Sequence, residues 1–349
     1  MEPITVKGIR IGEDAPAFII AEAACNHMCQ MDMAERMIEL AAEAGVNAIK
    51  FQTYKAERLV TKEAMTYWAG KQIPQLEYYS KLDKFGEKEY ARLFEYADKK
   101  GIIAFSTPFD LNNASMLHEL GMPLFKVASC DLPDKRLLRH VASFNKPVIL
   151  STGGSMPEEI DEAVATIYAT GNRQLILLAC TLSYPTRNED ANLRRIQSFK
   201  ERYPDVIIGL SDHTEPDKNM VIPAIAIALG AKVIEKHYTL DRSLTGSGHF
   251  FSATPDDLRK MVENIRITEQ VLGSSKIAVY QAEEAARRDA RRSLTAERDI
   301  KKGEVITSDM VGLKRPCAGI PANRIDKIIG RVAKRDIKKD EPFSFDQLE

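Results

Sequence analysis

Short β-prone apolar runs alternate with stretches in which apolar residues recur every three to four positions, without a break from Phe18 to about Leu272. Eight strand-like runs stand out: FIIAEA (18–23), NAIKFQ (47–52), IIAFS (102–106), LFKVAS (124–129), PVILST (147–152), LILLAC (175–180), VIIGLS (206–211) and KVIEKH (232–237). A helical pattern follows each. In residues 31–45, Met33, Met37, Leu40 and Ala41 fall on one face, and Gly45 suits the turn that ends a helix. Eight such units over roughly 250 residues is the size of a closed (β/α)8 TIM barrel, an α/β fold. An open doubly wound sheet would carry a glycine-rich turn after its first strand, whereas CNHMCQ follows here.

Two segments do not fit the repeat. The connection from Thr53 to Phe85 holds the only Trp, Trp68, and a Tyr-rich string, LEYYSKL, and is read as an excursion over the barrel mouth. After the last helical pattern, EEAARRDARR lacks a broad apolar face and reads as an exposed helical linker. Beyond it ERDIKKGEVI (297–306) returns as KRDIKKDEPF (334–343), each copy placing a turn between β-prone pieces. The expected organisation is a barrel over 1–275, a linker over 276–291 and a small β-rich domain over 292–349.

Composition narrows the class. With 44% hydrophobic and 28% charged residues, 19 Gly and 16 Pro, the chain is neither collagen-like nor disordered. The longest nearly apolar run, Val221 to Ile234, contains Lys232 and falls short of the roughly 18 residues a membrane span needs. The first twelve residues lack the apolar core of a secretory signal, so a cytoplasmic location is expected. Five cysteines without paired spacing argue against a disulfide framework or a thiolate zinc site. A formal charge of −1 gives no electrostatic footprint for nucleic acid or an anionic membrane. The balance is uneven, however: from Arg291 onward 14 Lys and Arg face 10 Asp and Glu, a net of +4 against −5 for the rest. A basic tail suits an anionic site.

Barrel chemistry resides where strands end, and these ends are polar. Lys50 and Lys126 lie inside predicted strands at the mouth end, where an unpaired ammonium is costly unless an anion answers it. Ser129, Ser151 and Ser211, with backbone donors at 152–154, would complete a phosphate or carboxylate cradle. His213 and His237 follow neighbouring strands and form a candidate pair for Mn²⁺ or Mg²⁺ rather than structural zinc. Glu22 is a candidate general base, with a salt bridge to a barrel lysine as the alternative.

Taken together, IAEAACNH, IKFQTYKAERL, FSTPFD, FKVASCDL, ILSTGG, LSYPT, IGLSDHT, EKHYTLD and LKRPCAGI resemble the bacterial sialic acid synthase family over essentially the whole chain. The resemblance implies a barrel fused to an antifreeze-like (SAF) domain, in a homodimer whose tail domains each cover the partner's barrel. It implies condensation of phosphoenolpyruvate with an N-acetylmannosamine-type amino sugar and water, releasing phosphate and a nine-carbon acid. Carried over by position, Lys50, Lys126, Ser129, Ser151 and Ser211 would hold phosphoenolpyruvate. Gln52, Thr107, Phe109 and Tyr184 would line the sugar and, with Glu22, the reacting centre. His213 and His237 would bind the metal, Mn²⁺ or else Mg²⁺ or Co²⁺, and Arg315 would reach the neighbouring subunit's sugar.

Three positions depart from the family's strings. Asp131 stands where Glu is common, withdrawing a candidate base by roughly an ångström. Leu182 stands where many relatives carry Asn, leaving Ser183 as the substitute donor, and Gly248 replaces a sugar-contacting Asp, leaving His249 beside it. The last departure leaves room for a sugar whose distal end differs from N-acetylmannosamine, and the sequence fits N-acetylmannosamine, the 2,4-diacetamido-trideoxyhexose of legionaminate- or pseudaminate-type synthases, or a less usual relative equally well. Two other readings are weighed: an aldolase forming a Schiff base on Lys126 or Lys50, and a carbohydrate-binding scaffold without catalysis.

Overall fold

The computed structural model describes residues 2–68 and 72–349, and all eight expected strands are present among them.

 

The barrel strands are β1 (Phe18–Ala24), β2 (Ala48–Thr53), β3 (Ile103–Pro108), β4 (Phe125–Val127), β5 (Val148–Ser151), β6 (Leu175–Cys180), β7 (Ile207–Asp212) and β8 (Val233–His237). They pair in parallel in the order β3-β2-β1-β8-β7-β6-β5-β4, and β3 lies beside β4 at the remaining seam. The strands are buried almost throughout, as a sheet covered on both faces requires.

Eight helices follow the strands: α1 (Met31–Glu43), α2 (Glu87–Lys100), α3 (Leu111–Glu119), α4 (Lys135–Ser143), α5 (Pro157–Tyr168), α6 (Arg195–Arg202), α7 (Val221–Ala228) and α8 (Pro255–Leu272). Local chemistry sets their ends. Asp110 caps α3 by accepting from Asn113 N at 2.8 Å, and Thr254 opens α8 with a capping box to Asp257 ahead of Pro255. On α1 the buried stripe is Ala34, Met37, Ile38 and Ala41, so Met33 and Leu40 sit at its margins rather than on it. A hairpin, Ile4–Val6 against Ile9–Ile11, adds Ile4, Val6 and Ile11 to the same core.

The chain divides into two compact units, Met1–Gly273 and Ser274–Glu349. Residues 271–292 are exposed, including the short helix Glu284–Asp289. The second unit has its own core, with Leu294, Ile300, Ile306, Ile328, Ile337 and Phe343, and one two-stranded sheet, β9 (Ser293–Ala296) against β10 (Val311–Lys314). The internal echo becomes a reciprocal exchange. Asp336 accepts from Lys302 N at 2.9 Å while Asp299 accepts from Lys339 N at 2.8 Å, and Ile300 bridges Ile337 between them.

One close approach shapes the barrel interior. Gly209 of β7 lies between Leu178 of β6 and Val233 of β8, where an added Cβ would stand 2.6 Å from Leu178 Cδ2 and 2.8 Å from Val233 Cβ. Neither neighbour can retreat inside a packed barrel. Gly209→Ala is expected to lower unfolding free energy by about 3 kcal/mol, read by urea denaturation; an unchanged midpoint would show that the barrel can expand here.

Candidate active site

Strand side chains alternate, so Glu22, Lys50, Lys126, Ser151, Ser211 and Glu235 all meet at one level inside the mouth. Glu22 and Lys50 are direct register partners on β1 and β2, and Ser211 and Glu235 on β7 and β8. Lys50 Nζ lies 2.6 Å from Glu22 Oε2 and 3.7 Å from Glu235 Oε2, and it donates to Thr107 Oγ1 at 3.1 Å. Lys126 Nζ lies 3.8 Å from Glu235 Oε1, which also accepts from Ser211 Oγ at 2.9 Å. Gln52 Nε2 completes the ring by donating to Glu22 Oε1 at 3.0 Å. Two ammonium and two carboxyl groups therefore share one buried chamber of about 330 Å³.

Burial and charge pull these groups in different directions. Burial pushes the Glu22 carboxyl up to about 7, against the opposing pull of Lys50. For Lys50 burial disfavours the charge, but Glu22 and Glu235 outweigh it and hold the pKa above the ordinary lysine range. Lys126 falls below that range because burial prevails over its longer contact with Glu235. Burial raises Glu235 as well, yet the two lysines together hold it below the usual carboxylate range.

Two expected cradle elements are arranged differently. Thr152 N donates to Leu178 O at 3.1 Å and Gly153 N to Ser129 Oγ at 2.9 Å, so the turn after β5 satisfies these donors internally. Ser151 Oγ, by contrast, is buried in the chamber wall with no partner. It is the hydroxyl most in need of a ligand.

Above the chamber opens a vestibule of about 920 Å³, which shares Gln52, Ser129, Tyr184 and His237 with the chamber wall. Its sides are aromatic, with Tyr67, Trp68, Tyr78 and Tyr79 coming from the long excursion after β2. Phe109 and Leu182 join them, as does Gly248, against which the Phe251 ring packs. Residues 69–71, at the centre of the excursion, lie outside the described residues.

His213 and His237 meet at the chamber rim, ring centroids 5.3 Å apart. His213 Nδ1 lies 2.8 Å from Thr181 O, and since a carbonyl only accepts, that nitrogen carries the proton and Nε2 is left as the ligating atom. His237 Nδ1 is buried without a hydrogen-bond partner, and burial holds its pKa well below the ordinary range, leaving the neutral ring that ligates metals. For His213 burial disfavours the charge, but Cys180 outweighs it and holds the pKa above the ordinary range, so that ring ligates only after giving up a proton; with both rings neutral, the pair fits a divalent cation whose other positions are taken by water or substrate oxygens. No cluster of three or more His, Cys, Asp or Glu in metal-binding geometry occurs among the described residues.

Three expected residues stand elsewhere. Ser183 is exposed and its hydroxyl donates to Pro185 O at 3.0 Å, across a loop that contains the cis Tyr184-Pro185 bond. His249 is fully buried, with Nδ1 2.7 Å from Thr239 Oγ1, because the turn His249–Phe251 directs it inward and sends Phe251 to the vestibule instead. Asp131 ends the turn Ser129–Asp131 that aims Ser129 at the chamber, and it borders neither cavity; burial raises it to about 6. Arg315 is an exposed residue of the second unit. Glu235, in turn, received no role from the sequence, although two buried lysines needed an answering charge and the period of two already placed residue 235 inside with His237.

Lys50→Met would leave Glu22 and Glu235 facing one ammonium. A carboxyl with a raised folded pKa costs stability as pH climbs from its unfolded value through the folded one, for Glu22 from 4.5 to about 7, and losing Lys50 moves the upper limit higher. The variant is expected to lose about 3–5 kcal/mol near pH 8 and clearly less near pH 5.5, where Glu22 is protonated. Denaturant titrations at both pH values check this, and equal losses would contradict it.

Comparison with known proteins places this geometry. The NeuB family model matches residues 37–277, and the SAF domain model matches residues 291–349. The chain is 40% identical to an uncharacterized protein of Methanocaldococcus jannaschii over 100% of this chain and 99% of that protein. It is 35% identical to N,N'-diacetyllegionaminic acid synthase of Campylobacter jejuni, covering 93% and 97% of the two chains. The crystal structure of a sialic acid synthetase from Leptospira borgpetersenii, in complex with citrate, superposes with a TM-score of 0.73 at 40% identity, covering 81% of this chain and 94% of that one. The barrel and the β-rich tail are thus a shared architecture, and the chain belongs to the NeuB family of sialic, legionaminic and pseudaminic acid synthases.

Proposed function

We propose that the chain condenses phosphoenolpyruvate with an N-acylated amino hexose in its open-chain form and water, releasing phosphate and a nonulosonic acid. The observation that carries this reading is the pair of buried lysines beneath a wide aromatic vestibule. A small, highly charged anion suits the floor, and a sugar with acyl groups suits the walls. Lys50 and Lys126, helped by the hydroxyls of Ser129, Ser151 and Ser211, hold the phosphate and carboxylate. Gln52, Thr107, Phe109 and Tyr184 keep the aldehyde above the enol.

The enol C3 forms a bond to the aldehyde carbon, and its C2 becomes electron-poor. Water oxygen then bonds to C2, the C2–O bond to phosphate breaks, and the ketone remains. Of the two protons of water, one balances the new hydroxyl at the former aldehyde and one leaves with phosphate. Glu22, held near neutrality and touching Lys50, is the carboxyl suited to pass a proton in the chamber. Asp131, with its raised pKa, acts at most through water, since it borders neither cavity. A divalent cation on His213 and His237, Mn²⁺ or else Mg²⁺ or Co²⁺, supplies Lewis acidity toward the aldehyde oxygen when bound.

The same reading makes the protein a homodimer in which the basic tail, through Arg315, serves the neighbouring subunit's vestibule. Its support is the charge asymmetry of the two halves and an exposed linker carrying Ile277, Val279 and Tyr280. A pyruvate Schiff base on Lys126 is the second reading, favoured by the lowered pKa of that lysine.

Phosphate release from phosphoenolpyruvate with Mn²⁺ is expected with N-acetylmannosamine or with 2,4-diacetamido-2,4,6-trideoxymannose, and His237→Ala is expected to lower it by more than about 100-fold. Borohydride trapping of a pyruvate adduct on Lys126, without phosphate release, would favour the aldolase instead.

A further inference from the structure

One buried ion pair beside the site takes no part in the reaction proposed above. Asp212 of β7 and Lys236 of β8 are register partners, both almost fully buried, and alternation turns them away from the axis faced by Ser211, Glu235 and His237. Lys236 Nζ lies 2.7 Å from Asp212 Oδ2, and it also donates to Thr214 O and, at 3.2 Å, to Thr214 Oγ1. Asp212 Oδ1 accepts from Thr214 N at 2.9 Å and from Thr214 Oγ1 at 2.7 Å. Every ammonium hydrogen and both carboxylate oxygens are therefore engaged in a closed network.

Such a pair is weak evidence of a contribution to stability, since well-packed apolar residues often do as well. Its geometry points to another use. The two residues that hold the ammonium, Asp212 and Thr214, are the neighbours of His213 on either side, and Lys236 itself immediately precedes His237. One ammonium thus ties the turn carrying the first imidazole to the strand carrying the second. The other restraints are softer: Thr181 O holds His213, Phe251 packs on His237, and the Tyr184 ring packs against both imidazoles without a hydrogen bond to either.

We propose that Lys236 and Asp212 are positioning residues that set the gap between the His213 and His237 imidazoles, and through it the affinity of the site for a divalent cation. The inference rests on the reading of the two histidines as ligands. The test is Mn²⁺ binding to the full-length protein without substrates, followed by electron paramagnetic resonance of free Mn²⁺, with circular dichroism to establish the fold. Lys236→Met/Asp212→Asn leaves no unpaired charge; it is expected to melt cooperatively, to bind Mn²⁺ at least about tenfold more weakly and to bind phosphoenolpyruvate within about twofold of the parent. Thr214→Val, which keeps the ion pair and removes one arm of the network, is expected to weaken Mn²⁺ by about threefold and stands alone as the test if the double variant does not fold. Mn²⁺ affinity unchanged in a folded variant would overturn the positioning role while leaving the ligand reading intact. Mn²⁺ binding absent from the parent, or unaffected by His237→Ala, would overturn the ligand reading and this inference with it.

Discussion

Two ammonium groups inside a barrel have to be answered by negative charge, and the rest of the site follows from how this chain answers them. Glu22 and Glu235 supply that charge at contact distance to Lys50 and at longer range to Lys126. The result is a chamber that is balanced on its own but poorly balanced once an anion enters. An anionic ligand that binds the lysines must displace carboxylates from them, and the carboxylate readiest to take up a proton when that happens is Glu22, which burial already holds up to about 7. The same groups that make the empty barrel tolerable are therefore those able to exchange protons as it fills.

The barrel itself was legible because its signal is repeated: eight β-prone runs at regular spacing leave few alternatives, and strand ends follow from the same count. The chamber was legible to the extent that alternation along a strand decides which side chains point inward. Lys50, Lys126 and Ser211 lie on strands and are placed by that rule, and so is Glu235, whose role as the answering charge follows only once both lysines are seen to need one. Residues beyond the strand ends were placed only in part: Ser129, Phe109 and Tyr184 line the cavities as expected, and three others do not. Ser183, His249 and Asp131 each sit one or two positions from a residue that does face a cavity, and a single tight turn after the strand decides which of the two enters. No periodicity reports that choice.

Different parts of the fold thus carry different parts of the proposed chemistry. Rigid strand ends hold the small charged reactant, where an error of an ångström matters most. The longer excursion after β2 forms the aromatic wall, which tolerates variation and suits the more variable partner, the sugar. Leu182 and Gly248, two departures from the family's strings, both border this vestibule rather than the chamber. Two of the three departures therefore fall where acceptor choice would be made.

The central claim, that phosphoenolpyruvate takes Lys50 from Glu22, is tested most directly by calorimetric titration of phosphoenolpyruvate into the protein near pH 7.5 in buffers of different ionisation enthalpy. A carboxylate that loses its ammonium and gains an anionic neighbour binds a proton more tightly. The account predicts net proton uptake on binding, and its loss in Glu22→Gln. Binding with the same proton balance in both proteins would contradict it.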